Sequence, residues 1–483
     1  MQEKEEKREH HKQHLHYTKM QTQSSNIYDI CVVGGGSGGF GAACSAARHG
    51  ARVVLIEAGN GLGGTSTWAG VNNYEPVAGP TGLPQELCER LQQTPKTVAI
   101  QQRSESYSDN RPWGIYDRSD ATDYRLSLSR LSGMPIVFEP DAMADLMLTM
   151  LSEAGCKVLL NTRFTQVHTQ GNRITSITIQ GPEGEDTIRA EVFIDATANI
   201  YLARAAGCET AIGIETPDVY DEPSAPEKPE MVLNNASLCY RITPLKPGEQ
   251  PDIQPIPSDV DRDKIRPVTS IRTYANGDRN MNPLHMMTGL EAYELGEKAY
   301  EVADKRLQAH WHILQTQYDF EFAPWKLVWI SPMLGVRETY RLVGQYVLRE
   351  QDLDGGLDNP AHNDIIGMSD HAIDFHGARP SRQLPGPYGI PFRCLLPKEI
   401  PNLLVACRGA SFSSIGASSC RLSRTMMVLG QAAGTAAALF GANAHNPSAE
   451  ILCNTLRKDG IALDLETGYL DAMTDIQPLE AKQ

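Results

Sequence analysis

Short apolar runs that end at glycine or at an acidic residue are the main hydrophobic pattern along this chain. Residues 28–33 (YDICVV) are apolar and β-branched, as expected of a parallel strand buried on both faces. Small residues up to Gly50 predict a helix, and residues 52–56 predict a second strand. Later in the chain, residues 402–406 predict another buried strand and residues 421–440 predict a long small-residue helix. Strand, helix and strand in this order predict an α/β fold built on a parallel sheet.

The centre of the chain has a different composition. Residues 217–267 hold ten of the 30 prolines, which favours extended loops over packed helices. Residues 290–316 then return to helical periodicity, with apolar side chains that include Leu295, Val302 and Leu307. We therefore expect a separate α+β unit inserted between two parts of the sheet domain.

The first predicted strand runs directly into a G-x-G-x-x-G motif at Gly34, Gly36 and Gly39. In such a turn the first glycine permits the tight bend, the second admits a pyrophosphate, and the third lets helix and strand pack closely. The helix that follows offers free N–H groups to the phosphates. Glu57, 23 residues after Gly34, can accept hydrogen bonds from ribose hydroxyls and would repel a 2′-phosphate. The order of these parts predicts a Rossmann-like dinucleotide site that disfavours NADP.

A second glycine-rich loop, residues 59–66, follows Glu57. Together the two loops resemble the FAD-binding fold shared by glutathione reductase, fumarate reductase and their relatives. Residues 157–168 resemble a later strand of that fold, where the backbone around Val167 meets the adenine. Residues 192–197 resemble the strand before its Ala-Thr-Gly turn, although Ala198 stands where the family usually has glycine.

Further motifs in the second half resemble the broad FAD-dependent oxidoreductase family, which is allied to fumarate-reductase and heterodisulfide-reductase flavoproteins. These motifs are residues 335–341 (GVRETYR), 374–376 (DFH), 390–393 (IPFR), 402–408 (NLLVACR) and 430–434 (GQAAG). The similarity spans roughly residues 27–465, with a departure at Cys407 where glycine is more usual. The resemblance implies FAD and redox catalysis, and it does not supply a substrate.

The resemblance and the glycine motifs together predict the FAD-binding residues and the division of the chain. The expected cofactor contacts are Gly34, Gly36, Ser37, Gly38, Gly39, Glu57, Ala58, Gly63, Gly64, Thr65, Ser66, Val167, Ala196, Thr197, Arg408, Ser418 and Ser419. The expected units are a disordered tail (1–26), the first part of the FAD domain (27–215), a substrate or cap domain (216–384), the second part of the FAD domain (385–445), and a C-terminal helix and tail (446–483).

Charge and composition narrow the class of protein. A formal net charge of −15 disfavours binding to nucleic acid or to anionic membranes. The most apolar stretch, residues 426–444, is interrupted by Gln431 and by glycines, so we expect no membrane span. The N-terminal tail lacks the apolar centre of a signal peptide, which favours a cytoplasmic protein. The ten cysteines form no C-x-x-C pair, and the chain shows no strong metal-binding pattern.

Basic residues gather in the segment that the resemblance places near the flavin. Residues 376–430 carry seven arginines and lysines against one acid, Glu399. Because the planar guanidinium of arginine suits carboxylate and phosphate, this charge predicts an anionic substrate. The residues expected to bind or convert the substrate are His376, Arg379, Arg382, Tyr388 and Arg393. Among them His376 is the expected proton acceptor, because the pKa of histidine lies near neutrality.

The sequence thus predicts a flavoenzyme that transfers hydride between a small, anionic metabolite and flavin N5. A flavin monooxygenase that uses NAD(P)H is the alternative enzyme, since it shares the FAD fold. A non-catalytic electron-transfer flavoprotein subunit is the alternative outside enzymes. The expected partner is a small molecule, and the oligomeric state, a homo-oligomer included, stays open.

Overall fold

The computed structural model describes residues 27–102, 117–118, 121–131, 133–376 and 379–469. The predicted tail (1–26) and the end of the predicted C-terminal unit lie outside the described residues. Within them the strands are β1 (Ile27–Val33), β2 (Val53–Ile56), β3 (Asn73–Tyr74), β4 (Val98–Gln102), β5 (Asp117–Arg118), β6 (Ile136–Phe138), β7 (Lys157–Leu159), β8 (Arg163–Gln170), β9 (Arg173–Gly181), β10 (Gly184–Asp195), β11 (Thr210–Ala211), β12 (Tyr240–Pro244), β13 (Thr269–Thr273), β14 (Arg279–Pro283), β15 (Trp325–Ile330), β16 (Arg341–Leu342), β17 (Ile365–Ser369), β18 (Tyr388–Pro391) and β19 (Leu403–Val405). The α-helices are α1 (Ser37–Arg48), α2 (Leu83–Leu91), α3 (Pro140–Glu153), α4 (Tyr201–Ala205), α5 (Pro217–Tyr220), α6 (Gly289–Leu295), α7 (Ala299–Gln317), α8 (Asp319–Phe322), α9 (Glu350–Gly355), α10 (Ser414–Ser419), α11 (Ser423–Phe440), α12 (Ala449–Lys458) and α13 (Leu465–Gly468).

The main sheet has the strand order β7-β2-β1-β10-β9-β8, and β19 pairs with β10. Strands β7, β2, β1, β10 and β19 run parallel, whereas β9 and β8 add antiparallel pairs. The last four residues of β1 and all of β2 are buried, as their apolar runs predicted, whereas β1 begins at the surface with Ile27. The parallel α/β prediction is therefore confirmed, and the carboxyl ends of β1 and β10 meet at one edge of the sheet.

Helices α1 and α11 pack against each other at unusually short range, because glycines face each other across the contact. An added Cβ on Gly38 would lie 1.9 Å from the carbonyl oxygen of Ala406, and one on Gly41 would lie 2.2 Å from that of Met427. An added Cβ on Gly430 would lie 2.0 Å from the carbonyl oxygen of Gly38. No larger residue fits these positions unless the backbone moves.

Among the described residues, one helical segment, 423–443, is long and apolar enough to span a membrane by length and composition. Its most apolar window is 72% buried inside the protein. This is the burial expected of a core helix, and it agrees with the contact between α11 and α1.

The central region forms a second hydrophobic core. Its sheet has the order β13-β14-β12-β15, and α6 and α7 cover it. The core residues include Tyr240, Ile271, Met281, Leu307, Trp311 and Phe322. Strand β12 lies inside the proline-rich stretch where the sequence predicted loops. It pairs with β14 and β15, which are distant in sequence, so the local pattern did not predict it. The predicted helix over 290–316 is divided at Gly296, which has φ +55°.

The hairpin of β17 and β18 connects the expected cap and FAD domains. It pairs residues 365–369 with residues 388–391, and so crosses the predicted boundary at 384/385. A further sheet of order β3-β6-β4-β5 lies within the first part of the predicted FAD domain.

We expect Gly430→Ala to destabilise the protein, because the new Cβ would meet the backbone of α1 rather than a flexible side chain. The expected loss is on the order of 1–3 kcal/mol, measured as a fall in the melting temperature of the FAD-loaded protein. Leu439→Ala on the same helix is the control, because Leu439 is 42% exposed. Equal melting temperatures for the two variants would contradict the packing argument.

Candidate active site

A cavity of about 420 Å³ opens at the carboxyl ends of β1 and β10, between the parallel sheet and the central domain. One half is lined by the glycine loop after β1, the turn after β10 and the segment that leads into α11. The other half is lined by side chains of β13, β14 and the segments around 333–337 and 371–376. The two cores therefore meet at this cavity.

The loop after β1 keeps its backbone open to the cavity. Gly34 has φ +101°, and an added Cβ on Gly39 would lie 1.8 Å from the carbonyl oxygen of Gly34. An added Cβ on Gly36, by contrast, would meet nothing within 4 Å and would occupy the cavity. Helix α1 begins at Ser37 without a side-chain cap, so the N–H groups of its first turn are available to an anion.

Glu57 is held at the end of β2 by two backbone donors. Its Oε2 accepts a hydrogen bond from the N–H of Gly35, and its Oε1 accepts one from the N–H of Gly59, each at 2.6 Å. These contacts fix the orientation of a carboxylate that lines the cavity.

The turn after β10 is organised by Asp195. This buried carboxylate accepts hydrogen bonds from the N–H of Thr197 at 2.9 Å and the N–H of Ala203 at 2.8 Å. Ala198 has φ +63°, in the left-handed region where glycine carries no steric penalty. The departure from the family's Ala-Thr-Gly pattern thus falls at a position whose conformation favours glycine.

Arg408 lies beneath this turn. It donates hydrogen bonds to the carbonyl oxygen of Ala198 at 2.8 Å and to Oδ1 of Asn199 at 3.0 Å. Its Nε is buried and has no partner among the described residues. Burial disfavours the charged form of Arg408 and lowers its pKa, and an anionic group beside it would offset that cost.

Arg337 lines the half of the cavity next to the central domain. It donates hydrogen bonds to the carbonyl oxygen of Asn235 at 2.5 Å and to Oγ of Ser237 at 3.0 Å. No carboxylate of the described residues lies within salt-bridge distance. Burial and the nearby Arg421 lower its pKa to about 10, so it remains a cation at neutral pH.

Asp374 and His376 form a hydrogen-bonded pair on the same wall. Nε2 of His376 lies 3.1 Å from Oδ2 of Asp374, and the N–H of His376 donates to Oδ1 at 2.9 Å. Burial and the two neighbouring arginines, Arg337 and Arg421, lower the pKa of His376 well below 6.5, against the smaller opposing effect of Asp374. Burial alone would raise the pKa of Asp374, but His376 and Arg421 lower it. The pair is therefore a neutral imidazole beside a carboxylate.

A second group of charged side chains lines another part of the wall. Arg272 pairs with Glu75 at 2.6 Å, and Arg130 and His371 lie close enough to lower the pKa of Glu75. His371 is 5% exposed, and burial lowers its pKa to about 3. This imidazole is neutral at all physiological pH values.

Ten of the predicted cofactor contacts line the cavity, and seven do not. Those on the cavity wall are Gly34, Gly36, Ser37, Gly38, Glu57, Gly64, Thr65, Ala196, Thr197 and Arg408. Those away from it are Gly39, Ala58, Gly63, Ser66, Val167, Ser418 and Ser419. Ser418 and Ser419 are fully buried. The hydroxyl of Ser418 donates a hydrogen bond to the carbonyl oxygen of Ile415, and that of Ser419 donates one to the carbonyl oxygen of His371.

Of the five residues predicted to act on substrate, His376 alone lines the cavity. Arg382 pairs with Asp354 at 2.7 Å, and Arg393 with Asp364 at 3.0 Å. Arg379 lies 3.8 Å from Glu230, and Tyr388 is buried with its hydroxyl 2.8 Å from Oγ of Ser419. These three arginines therefore lie close to carboxylates that do not line the cavity, and Tyr388 is buried in the protein core.

Five arginines from separate parts of the chain line the cavity, namely Arg130, Arg272, Arg337, Arg408 and Arg421. The sequence pattern singled out the segment of Arg421, and Arg337 stood inside the GVRETYR motif without an assigned role. Arg272 stood in no motif that the sequence analysis identified. Arg130 stood in none either.

Residues 29–459 match the family of FAD dependent oxidoreductases. A glutathione reductase of Schizosaccharomyces pombe is 58% identical over 41 residues, which are 8% of this chain and 9% of that protein. The chain thus spans less than a tenth of that relative's length in the match.

Two solved structures are similar to this chain at low identity. A geranylgeranyl bacteriochlorophyll reductase-like protein of Thermoplasma acidophilum is 13% identical, with a TM-score of 0.41, over 90% of this chain and 83% of that one. The p-nitrophenol 4-monooxygenase of Pseudomonas putida DLL-E4 is 12% identical, with a TM-score of 0.38, over 89% and 81%. The family match covers most of the sequence that forms the cavity. This chain therefore belongs to the FAD dependent oxidoreductase family, and FAD is its cofactor.

Proposed function

We propose that this oxidoreductase binds FAD along the glycine-lined half of the cavity and moves two electrons between FAD and a small organic anion held in the other half. The observation that carries the proposal is Arg337, a cavity cation that has only neutral oxygen partners among the described residues. A cation left in this state is costly unless an anion completes its environment.

The residues of the glycine-lined half fit FAD in their chemistry. The uncapped first turn of α1 and the open space at Gly36 suit a diphosphate. Glu57 suits ribose hydroxyls, since its oxygens face the cavity and are held in place by backbone donors. The unpartnered Nε of Arg408 offers a further donor on the same side.

The substrate side offers both a cation and neutral hydrogen-bonding groups. Arg337 can present its guanidinium to a carboxylate or a phosphate. Ser237, Ser270 and Asn282 line the same region and can donate to or accept from hydroxyl groups of the substrate. We therefore infer a polar anion rather than an apolar one.

His376 supplies the proton acceptor in this proposal. A neutral imidazole that donates Nε2–H to Asp374 leaves Nδ1 free to accept a proton. Bound FAD supplies a two-electron acceptor or donor at N5 of its ring. In substrate oxidation Nδ1 of His376 would accept the O–H or N–H proton, and the hydride of the C–H bond would pass to FAD when it is bound. Asp374 would stabilise the imidazolium that results. In the reverse reaction the proton and the hydride would return to the substrate.

Gly36→Val tests the cofactor site. We expect FAD affinity to fall at least tenfold, because the new side chain would fill the cavity where the diphosphate lies; tenfold corresponds to about 1.4 kcal/mol. The apo protein should keep its melting temperature, since nothing lies within 4 Å of the added Cβ. Gly39→Ala is the contrasting variant, because its Cβ meets backbone and should destabilise the apo protein as well. Wild-type FAD affinity in Gly36→Val would show that the cofactor lies elsewhere.

Arg337→Gln tests the anion site. We expect the affinity of small carboxylates for the FAD-loaded protein, measured by perturbation of the flavin absorption spectrum, to fall about tenfold to a hundredfold, since a charge-assisted contact is lost. The melting temperature should not fall sharply, because the variant also removes an unpaired cation. Arg382→Gln, whose arginine pairs with Asp354 and Glu350, should bind the same carboxylates normally. If Arg382→Gln weakened carboxylate binding and Arg337→Gln did not, the anion site would instead include Arg382, as the sequence predicted.

His376→Asn tests the proton acceptor on a substrate found by anaerobic bleaching of the flavin with hydroxy acids, amino acids and sugar acids. We expect kcat to fall roughly a hundredfold with little change in KM. Because the pKa of His376 is lowered, the unprotonated base dominates above pH 6.5, and the wild-type oxidation rate should fall only below that pH. A rate that rises steadily through neutral pH would assign the proton to another group. NAD(P)H-dependent oxygen uptake in place of direct bleaching would replace the proposal with a flavin monooxygenase.

A further inference from the structure

Arg130 repeats, on another part of the cavity wall, the unusual environment of Arg337. It lines the cavity, and no carboxylate of the described residues lies within salt-bridge distance of it. Its Nε is buried and has no hydrogen-bond partner among the described residues. Arg130 therefore brings a second cation to the cavity whose charge the protein does not neutralise by direct pairing.

The position of Arg130 is held by the backbone rather than by its side chain. Its N–H donates to Oδ2 of Asp370 at 2.7 Å, and Oδ1 of the same carboxylate accepts from the N–H of Ala78, also at 2.7 Å. Asp370 is 7% exposed. The clamp fixes the main chain at residue 130 and leaves the guanidinium to be oriented by what enters the cavity.

The neighbouring carboxylates, Glu75 and Asp370, attract the charge of Arg130 without forming a salt bridge to it. Glu75, the nearby carboxylate on this wall, is paired with Arg272 at 2.6 Å. His371, also close, is a neutral imidazole, and its buried Nδ1 has no partner among the described residues. Arg272 is thus paired with Glu75, whereas Arg130 forms no salt bridge with a carboxylate of the described residues.

The two unpaired cations belong to different groups along the wall. Arg337 lies near Arg421 and Asp374, whereas Arg130 lies near Glu75 and His371. Across this half of the cavity, Arg130, Arg272, Arg337 and Arg421 face two carboxylates, Glu75 and Asp374. An occupant with a single negative charge would satisfy only one of the two unpaired guanidinium groups.

We propose that the substrate carries two anionic groups, one bound by Arg337 and the other bound by Arg130 in a second subsite that includes Nδ1 of His371 as a neutral partner. This inference rests on the proposed function, because it uses the same cavity and the same first anion site. The two groups are carboxylates or phosphates at the two ends of a short polar molecule.

The test is a titration of the FAD-loaded protein with acetate and propionate against malonate, succinate and glutarate, followed by the flavin absorption spectrum and by calorimetry. We expect the best dicarboxylate to bind at least tenfold more tightly than the matched monocarboxylate, and the preferred chain length to report the separation of the subsites. Arg130→Gln should abolish this preference and leave monocarboxylate affinity unchanged. Arg337→Gln should weaken both classes.

Two further variants serve as controls for indirect effects of substitution on the structure. Arg130→Lys keeps the charge and should retain most of the dicarboxylate preference, which a purely structural role of the arginine would not explain. Arg125→Gln removes an exposed arginine that pairs with Asp123 close by in the chain, and should bind like the wild type. If Arg130→Gln does not hold FAD, the comparison of wild type with Arg130→Lys still decides the point, since loss of the preference in a folded lysine variant would also count against the second subsite.

The outcomes separate this inference from the proposed function. Monocarboxylates and dicarboxylates that bind equally well to the wild type would overturn the second subsite and leave the first anion site standing. Binding of neither class, in the spectrum or in calorimetry, would overturn the proposed function itself. A dicarboxylate preference that survives in Arg130→Gln would place the second anion on a different residue and overturn the assignment to Arg130.

Discussion

Helices α1 and α11 meet backbone to backbone, and the position of the cavity depends on that contact. Gly38, Gly41, Gly430 and Gly434 each leave so little room that an added Cβ would fall within 2.2 Å of a carbonyl oxygen. The close approach brings the beginnings of both helices to the same edge of the parallel sheet, one from each end of the chain. A discontinuous domain can build one cofactor site in this way, because glycines at the contact let the two halves approach closely.

The electrostatics of the cavity follow from which arginines find partners. Arg341 shows the usual solution for a buried guanidinium, with Glu338 and Glu215 each at 2.6 Å. Arg337 and Arg130 line the cavity and lack such partners among the described residues. Leaving a cation in that state costs several kcal/mol, whereas an anionic ligand recovers much of the loss on binding. Their environment thus sets the cavity apart from the ion-paired surface around Arg382 and Arg393.

The two neutral histidines add a constraint of a different kind. His371 and His376 stand close to Arg421 and to the unpaired arginines, so protonating either would place further positive charge in an enclosed region. Asp374 offsets this effect for His376, which it contacts directly, and less so for His371. The direct contact with Asp374 therefore distinguishes His376 from His371.

The local part of the fold was accessible from sequence. Strand β1, the glycine loop, α1 and β2 form one continuous segment, and their patterns predicted the parallel α/β core and the FAD family correctly. The central domain was harder, because β12 lies in a proline-rich stretch and is ordered by strands 35 to 90 residues away. Gly296 likewise divided a helix whose apolar periodicity continues across it.

By itself the sequence determined the cofactor, since the glycine motif and Glu57 act within one βαβ unit and need no distant residue. It also showed that positive charge collects in residues 376–430, of which Arg408 and Arg421 line the cavity. Only the tertiary structure decided which cations face the cavity. Arg379, Arg382 and Arg393 turn towards acidic residues from 28 to 149 positions away, and Arg130, Arg272 and Arg337 converge on the cavity from separate elements. The physical reason is that an ion pair is chosen by distance in space, which local sequence does not encode.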